Sequence, residues 1–271
     1  MDRTVLITGA SSGVGLAAAE QFAAQGDRVV VIGRDPGRLA AATERVRAAG
    51  KGREPDSFRV DFESFQQVRE LAAHLLDAYP TIDVLANNAG GMLSRYRRTE
   101  DGNEATIQGN HLAPFLLTNL LRERLSEARV VNTASDAHRR GRPDPDAFAG
   151  DPAGYRAMRA YGGSKSANIL FTAEAARRWP DVTSVCFHPG VVRTNFGDEN
   201  RVIRLFYRYA PFLVTPETAG ALLVWLATAP ASDLVGGGYY VGHDVKRPQP
   251  HASDPAAAAR LWDASAKAVG L

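Results

Sequence analysis

The chain has 271 residues, and its 32 basic and 30 acidic side chains give a formal net charge of +2. A charge so close to balance disfavours nucleic acid and strongly acidic partners, and the length allows roughly three quarters of the unfolded surface to be buried in one core. The single cysteine, Cys186, excludes an internal disulfide, which suits a reducing compartment.

The first strand-like run starts directly after the initial Met-Asp-Arg, so we expect no signal peptide. The longest apolar stretch, residues 219–229, is shorter than the roughly 18 residues that cross a bilayer. We therefore expect a cytoplasmic protein without a membrane span.

Seven short runs rich in apolar and β-branched residues alternate with longer segments of helical period. The runs are TVLIT (4–8), RVVVI (28–32), SFRV (57–60), IDVLA (82–86), ARVVNTA (128–134), VTSVCFH (182–188) and GYYV (238–241). Most are continuously apolar, as is typical of strands covered on both faces. The alternation predicts an α/β fold with about seven strands in one doubly wound parallel sheet and helices on both faces. With neither a repeat nor a low-complexity linker, residues 1–271 are expected to form a single domain.

The first strand is followed at once by TGASSGVG, with glycines at 9, 13 and 15, and then by a helical pattern. Glycines at such a junction allow a tight turn and a close approach of the backbone to a pyrophosphate, which the helix N-terminus stabilises. The spacing differs from the general GxGxxG fingerprint, so an ordinary glycine-rich turn stays open at this point.

Two segments interrupt the alternation of strands and helices. Residues 136–159 are rich in Pro, Gly and charge, and residues 190–216 interleave arginines with Phe206, Tyr207, Tyr209 and Phe212. Both follow strands, and ligands bind beyond the carboxyl ends of strands in open α/β sheets. We expect both segments to lie over that edge, with residues 190–215 forming a substrate lid that favours bulky apolar substrates. The alternative is that the aromatic side chains pack only on the protein.

Tyr161 and Lys165 lie four residues apart in AYGGSKSANILF, at the start of a predicted helix. Residues at this spacing share a helix face, so the phenol and the ammonium can approach one point. Taken alone, the pair is equally compatible with a solvated helical face.

Six motifs taken together resemble the short-chain dehydrogenase/reductase family over nearly the whole chain. They are TGASSGVG, NNAG (87–90), GNHLAPFLLT (109–118), VVNTASDAH (130–138), YGGSK (161–165) and HPGVVRT (188–194). The segment RTEDGNE, the long gap between Ser135 and Tyr161 and the C-terminal sequence are similar to the branch of retinol dehydrogenases and WW-domain oxidoreductases. That branch often carries a membrane segment or an extra domain, neither of which we expect in this chain. The resemblance implies a Rossmann-type fold.

The resemblance also implies catalytic roles for four residues. Tyr161 would exchange a proton with the substrate oxygen, and Lys165 would favour the phenolate and bond the nicotinamide ribose. Ser135 would orient the substrate oxygen, although Ala134 departs from the usual Thr or Ser before it. Asn110 would bend a helix and hold a water that relays protons to Lys165.

A larger set is expected to bind the cofactor. Asp61 would contact adenine, Asn87, Ala89 and Gly90 would pass beneath the adenosine ribose, and Thr194 would meet the nicotinamide carboxamide. The complete set is Gly9, Ser11, Ser12, Gly13, Val14, Gly15, Arg34, Arg38, Asp61, Phe62, Asn87, Ala89, Gly90, Tyr161, Lys165, Pro189, Gly190, Val192 and Thr194.

The end of the second strand predicts NADP(H) as the cofactor. An acid at this strand end would bond the ribose 2′-hydroxyl of NAD and repel a 2′-phosphate, but the residue here is Gly33. Arg34 follows, and its guanidinium can bond a phosphate at two points, with Arg38 one helical turn further on. Asp35 opposes this interpretation, yet it is better placed to begin the next helix.

These features predict an enzyme that interconverts a carbonyl and an alcohol by hydride transfer with NADP(H), on a hydrophobic, retinoid-like or steroid-like substrate. One alternative is a general carbonyl reductase of xenobiotic or polyketide-type substrates. A non-catalytic NADP-sensing regulator is the alternative from another class, although it would not need all four catalytic-type residues. The histidines lack ligand-like spacing, so no metal site is expected. A homodimer is left open.

Overall fold

Parallel strands form the centre of the molecule, which a computed structural model describes for residues 3–192 and 213–271. Within these residues the sheet has the order β3-β2-β1-β4-β5-β6-β7-β8, and only the β7–β8 pair is antiparallel. The strands are β1 Thr4–Thr8, β2 Arg28–Gly33, β3 Asp56–Arg59, β4 Val84–Asn87, β5 Arg129–Thr133, β6 Thr183–His188, β7 Tyr239–Val241 and β8 Asp244–Lys246. The predicted doubly wound parallel sheet is thereby confirmed.

The eighth strand was not predicted. β8 has three residues, all of them exposed. It follows β7 after a tight turn and pairs with it in antiparallel direction. An exposed strand of this length carries no run of apolar residues, so hydrophobic patterning cannot reveal it.

Helices connect the strands and cover both faces of the sheet. They are α1 Gly13–Gln25, α2 Pro36–Ala49, α3 Phe65–Ala78, α4 Ala105–Ile107, α5 Ala113–Leu120, α6 Ala157–Arg178, α7 Pro216–Thr228 and α8 Pro255–Val269. A π-helical turn, Gln108–Leu112, joins α4 to α5. Asp35 caps α2 by accepting a hydrogen bond from the backbone N–H of Arg38 at 2.8 Å, which confirms its predicted role. None of the helices in the described ranges is long and apolar enough to span a bilayer.

Successive residues of the central strands face two separate cores because strand side chains alternate between faces. Leu6 of β1 packs with α3, α5, α6 and α8, whereas Val5 and Ile7 pack with α1, α2 and α7. Both sides of these strands are buried, which explains why their sequences are continuously apolar.

The segment 136–159 crosses the carboxyl edge of the sheet, as predicted. It begins with a 3₁₀ turn, Asp136–Arg140, and later docks on the loop before α4, where the backbone N–H of Glu104 donates to the carbonyl of Phe148 at 2.7 Å. Tyr155 Oη also donates to the carbonyl of Leu93 at 2.9 Å. The segment therefore builds one wall of the space beyond the strand ends.

Candidate active site

A cleft of about 870 Å³ opens at the carboxyl ends of the parallel strands. Most of the residues predicted from the sequence contribute to its wall. They are Gly9, Ser11, Ser12, Gly13, Val14, Arg34, Arg38, Asp61, Phe62, Ala89, Gly90, Asn110, Ser135, Tyr161, Lys165, Pro189, Gly190 and Val192. Motifs that are spread over 180 residues of sequence therefore meet around one space.

The glycine-rich turn approaches the neighbouring strand end too closely for side chains. Gly9 has a φ of +66°, and a Cβ there would lie 2.8 Å from the Cα of Ala89. Beyond the turn, the side chain of Ser12 makes no capping hydrogen bond at the start of α1, and the first turn of α1 contains no acid. A helix N-terminus of this kind fits the pyrophosphate of a dinucleotide.

Gly15 differs from the other glycines of the motif because it does not line the cleft. A Cβ at Gly15 would lie 2.5 Å from Asn88 Nδ2 and 2.6 Å from the carbonyl oxygen of Gly9. The absence of a side chain at Gly15 therefore allows α1 to pack against the turn.

Asn87, which is predicted to pass beneath the ribose, is not among the residues that line the cleft, and its side chain points into the core. It is the last residue of β4, is buried, and donates from Nδ2 to Thr118 Oγ1 and Asn132 Oδ1 at 2.9 Å each. The next residue, Asn88, lines the cleft instead and donates from Nδ2 to the carbonyl of Thr8 at 3.0 Å. Because adjacent strand residues point in opposite directions, a motif with two consecutive asparagines does not show which one faces the ligand.

Arg34 stands at the rim of the cleft, directly after β2. Its Nη1 lies 3.3 Å from Glu63 Oε1 and 3.7 Å from Asp61 Oδ1. Glu63 also accepts a hydrogen bond from Arg97 Nη2 at 2.6 Å. Both carboxylates keep the guanidinium of Arg34 beside the cleft, where an incoming anion would compete with them.

Lys165 is buried at the floor of the cleft, one helical turn after Tyr161. Its Nζ donates to the carbonyl of Thr133, the last residue of β5, at 2.9 Å and lies 5.4 Å from the centre of the Tyr161 ring. Burial lowers the pKa of Lys165 to about 8, because the charged form loses its hydration. The ammonium of Lys165 therefore lies beside the aromatic ring of Tyr161.

The π-helical turn presents Asn110 to the same end of the cleft. Asn110 Oδ1 accepts from the backbone N–H of Gly91, and Asn110 Nδ2 donates to the carbonyl of Gly91, both at 2.8 Å. Asn110 Nδ2 is also 2.9 Å from Ser164 Oγ, which in turn donates to the carbonyl of Tyr161 at 2.7 Å. The predicted distortion of the helix at Asn110 is thus a π turn, a feature found frequently at functional sites.

Ser135 lies two residues after the end of β5. Its backbone is extended, and its Oγ accepts a hydrogen bond from the backbone N–H of Ala137 at 3.2 Å. The side chain therefore caps the 3₁₀ turn while it lines the cleft.

Several further wall residues were not singled out from the sequence. Met92, Leu93, Met158 and Val191 contribute the apolar part of the lining, here called the apolar wall, and Asp136, Arg139, Arg140 and His188 add polar groups. Met158 precedes Tyr161 by three residues on α6, so helical periodicity could have placed it beside the phenol. The other residues of this set lie outside the α-helices, so no helical periodicity indicates that they face the cleft.

The predicted lid can be described only at its two ends. The backbone N–H of Val214 donates to the carbonyl of Val191 at 3.0 Å, so the ends of the segment lie side by side. Thr194 and the aromatic residues Phe206, Tyr207, Tyr209 and Phe212 lie outside the described residues. In the ranges 3–192 and 213–271, no group of three or more His, Cys, Asp or Glu could hold a metal ion.

Comparison with known proteins agrees with this geometry. The sequence profile of the family described as short chain dehydrogenase matches residues 3–202. A protein of Streptomyces sp. (strain C5) named "Putative daunorubicin C-13 ketoreductase" is 53% identical over 99% of this chain and 93% of its own length. Human retinol dehydrogenase 13 is 34% identical over 99% of this chain and 85% of its own.

Solved structures share the same architecture. A crystal structure of an uncharacterised protein from Mycobacterium paratuberculosis superposes with a TM-score of 0.80, at 30% identity over 99% of this chain and 93% of that one. A short-chain-dehydrogenase structure from Escherichia coli CFT073 complexed with NADPH has a TM-score of 0.65, at 26% identity over 83% of this chain and 90% of that one.

Proposed function

The chain belongs to the short-chain dehydrogenase family, in the branch of the retinol dehydrogenases, and from this membership we propose that it interconverts a carbonyl and an alcohol with NADP(H) on a bulky hydrophobic substrate. As a family member it is an oxidoreductase that uses a nicotinamide cofactor on a small molecule. The observation that carries the proposal is that Asn110, Ser135, Tyr161 and Lys165 line the same cleft as the apolar side chains of Met92, Leu93, Met158 and Val191.

The bound cofactor would supply hydride to the carbonyl carbon, or remove it from the alcohol. The phenol of Tyr161 gives a proton to the substrate oxygen during reduction and takes one back during oxidation. Protonated Lys165 lowers the cost of the phenolate, since an opposite charge nearby favours the charged form. Ser135 orients the substrate oxygen, and Asn110 keeps the Gly91 backbone and α6 in register through its bonds to Gly91 and Ser164.

A ketone or aldehyde of considerable size is the proposed substrate. The relative with 53% identity is named for the reduction of a ketone of daunorubicin, and others are named for retinol. The apolar wall of Met92, Leu93, Met158 and Val191 supports such substrates, since burial of apolar surface contributes about 25 cal/mol per Å². Daunorubicin and retinal are therefore the first substrates to assay, with acetone and acetaldehyde as small controls.

NADP(H) is the proposed cofactor because Gly33 removes the acid that would repel a 2′-phosphate and Arg34 and Arg38 line the cleft next to it. A charge-assisted hydrogen bond contributes about 1.5 to 3 kcal/mol, so replacing Arg34 with Ala should weaken NADPH binding roughly ten- to a hundredfold. The affinity for NADH should stay unchanged. Arg45→Ala is the matched control, because Arg45 lies on α2, which begins just after Arg34, and pairs with Glu20 outside the cleft.

Steady-state kinetics with both cofactors at one ionic strength test the proposal. We expect NADPH-dependent reduction of the large carbonyl compounds, with higher kcat/KM than for the small controls. Equal or better efficiency with NADH would refute the cofactor assignment, and higher efficiency with acetone than with daunorubicin and retinal would refute the substrate class.

A further inference from the structure

His138 is a fully buried polar residue in the 3₁₀ turn that follows Ser135. It does not line the cleft, and the proposed reaction assigns no role to it. An imidazole buried away from water loses stability unless both nitrogens find partners, so its contacts are informative.

Each ring nitrogen of His138 has a backbone partner. Nδ1 lies 2.8 Å from the carbonyl oxygen of Ser135, and Nε2 lies 3.3 Å from the backbone nitrogen of Gln249. The backbone N–H of Gln249 can only donate and the carbonyl of Ser135 can only accept. Nε2 must therefore accept and Nδ1 must carry the proton, which fixes one neutral tautomer. Burial also lowers the pKa of His138 and so opposes protonation of the ring.

The partner of Nε2 belongs to the C-terminal part of the chain, more than a hundred residues away. Two residues beyond Gln249, His251 Nε2 lies 3.1 Å from the carbonyl oxygen of His138 and 3.2 Å from that of Gly141. Ser166 Oγ on α6 donates to the same carbonyl of Gly141 at 2.7 Å. The ring of His138 packs edge to face on Tyr239, with 5.2 Å between the centroids. Residues 249–251 thus hold the turn after Ser135 from outside the cleft.

We propose that His138 is a positioning residue for Ser135: its Nδ1–H fixes the Ser135 carbonyl, and the backbone N–H of Gln249 selects the tautomer that can do so. The inference rests on the proposed function, because it assumes that Ser135 orients the substrate oxygen. Ser135 also receives a bond from the backbone N–H of His138 at 3.0 Å, so residue 138 determines both contacts of this carbonyl.

The tautomer is tested on the cofactor-free protein by ¹⁵N NMR of the imidazoles at pH 7.5, with the His138 signals assigned by their loss in His138→Asn. We expect a protonated Nδ1 and an unprotonated Nε2. A protonated Nε2 with a bare Nδ1, or an imidazolium, would overturn the proposal. This readout does not depend on turnover, so absence of carbonyl reduction by the wild type would refute the proposed function alone.

The effect on Ser135 is tested by removing a single hydrogen-bond donor. Gln249→Pro deletes the backbone N–H and fits the local backbone, since Gln249 has a φ of −59° and proline requires about −65°. Gln249→Ala is the matched control because it keeps the N–H. We expect Gln249→Pro to lower kcat about tenfold or more, as misplaced catalytic groups do, with unchanged dissociation constant for NADPH and unchanged kcat in Gln249→Ala.

A double-mutant cycle separates positioning from general destabilisation. In a Ser135→Ala background, Gln249→Pro and His138→Gln should cause no further loss, because interacting residues are not additive. His138→Asn, whose amide nitrogen can take the place of Nδ1, should keep more activity than His138→Gln. Equal losses in both backgrounds, or full activity of Gln249→Pro, would contradict the proposal.

Discussion

The ammonium of Lys165 is buried. Its position four residues after Tyr161 in the sequence does not reveal the free-energy cost of this burial. Within the described structure its hydrogen-bond acceptor is the carbonyl of Thr133, a neutral group that compensates only part of the lost hydration. The positive charge of Lys165 thus lowers the free energy of unfolding, and the size of this effect depends on pH.

Burial lowers the pKa of Lys165 from 10.5 to about 8 in the folded protein. Between these two values the unfolded chain binds a proton that the folded chain has released, so the free energy of unfolding rises with pH, by about 1.4 kcal/mol per unit at most. We expect wild type to gain stability relative to Lys165→Met from pH 8 to pH 10, as measured by urea denaturation. A constant difference across this range would contradict the buried cation.

Tyr161→Phe tests the proposed proton donor. The substitution removes one oxygen from the cleft wall, so the dissociation constant for NADPH should change little, while kcat should fall about a hundredfold or more. Cofactor fluorescence titration and single-turnover reduction measure the two effects separately. Tyr155→Phe is the control, because the hydroxyl of Tyr155 donates to the Leu93 carbonyl and Tyr155 is not one of the four proposed catalytic residues. Near-normal turnover of Tyr161→Phe would remove the phenol from the mechanism.

Among the elements, α6 packs closely against the segment that follows Ser135. Two glycines between Tyr161 and Lys165 make this close packing possible. A Cβ at Gly162 would lie 2.4 Å from the carbonyl oxygen of Ala137, and a Cβ at Gly163 would lie 2.9 Å from that of Arg142. The backbone of α6 therefore touches the backbone of segment 136–142. This contact brings Tyr161 and Ser135 to the same side of the cleft.

Gly162→Ala should separate these two backbones. Because a contact of 2.4 Å is impossible for a real Cβ, the turn after Ser135 must move, and a shift of about 1 Å can cost a hundredfold in rate. We expect a large fall in kcat together with a lower midpoint of urea unfolding. Gly37→Ala is the control: a Cβ there meets only Asp35 Oδ1 at 3.6 Å, and the added methyl group should be neutral or stabilise the helix by up to about 1 kcal/mol. Unchanged kcat in Gly162→Ala would show that the turn tolerates the shift.

At the scale of the whole molecule, the C-terminal helix α8 closes one of the two cores. Trp262 on α8 packs edge to face on Phe115 of α5 at 4.9 Å and on Trp179, after α6, at 5.1 Å between centroids. The guanidinium of Arg178 lies 4.8 Å from the Trp262 ring.

The sequence leaves open whether the protein forms a homodimer. Light scattering of the purified protein would measure its molar mass in solution and so its oligomeric state.

Trp262→Ala should lower the free energy of unfolding by about 3 to 5 kcal/mol, the usual cost of removing a large buried aromatic residue. Urea denaturation followed by circular dichroism measures this change. Trp225→Ala is the comparison, because Trp225 is only partly buried against the opposite core, and it should cost less. An equal or smaller loss in Trp262→Ala would mean that α8 contributes little to the core.

Residue patterns along the chain predicted seven of the eight strands, their parallel direction and about half of the residues in the cleft wall. Runs such as Val29–Ile32 are apolar because both faces of the sheet are buried, and this local signal does not depend on distant residues. Motifs at strand ends converge for the same reason, since parallel strands place their carboxyl ends along one edge. The capping of α2 by Asp35 also depends only on residues close in sequence, because Asp35 bonds the backbone N–H of Arg38.

Tertiary packing, in contrast, determines which side of an element faces the cleft and which distant residues hold that element in place. Asn87 and Asn88 are chemically identical in sequence, and packing against Thr118 and Asn132 turns the first of them into the core. The contact between Gln249 and His138 joins residues 111 positions apart. Such a contact depends on how two distant parts of the chain pack together through backbone atoms. The residue pattern of neither part, taken alone, indicates how they pack.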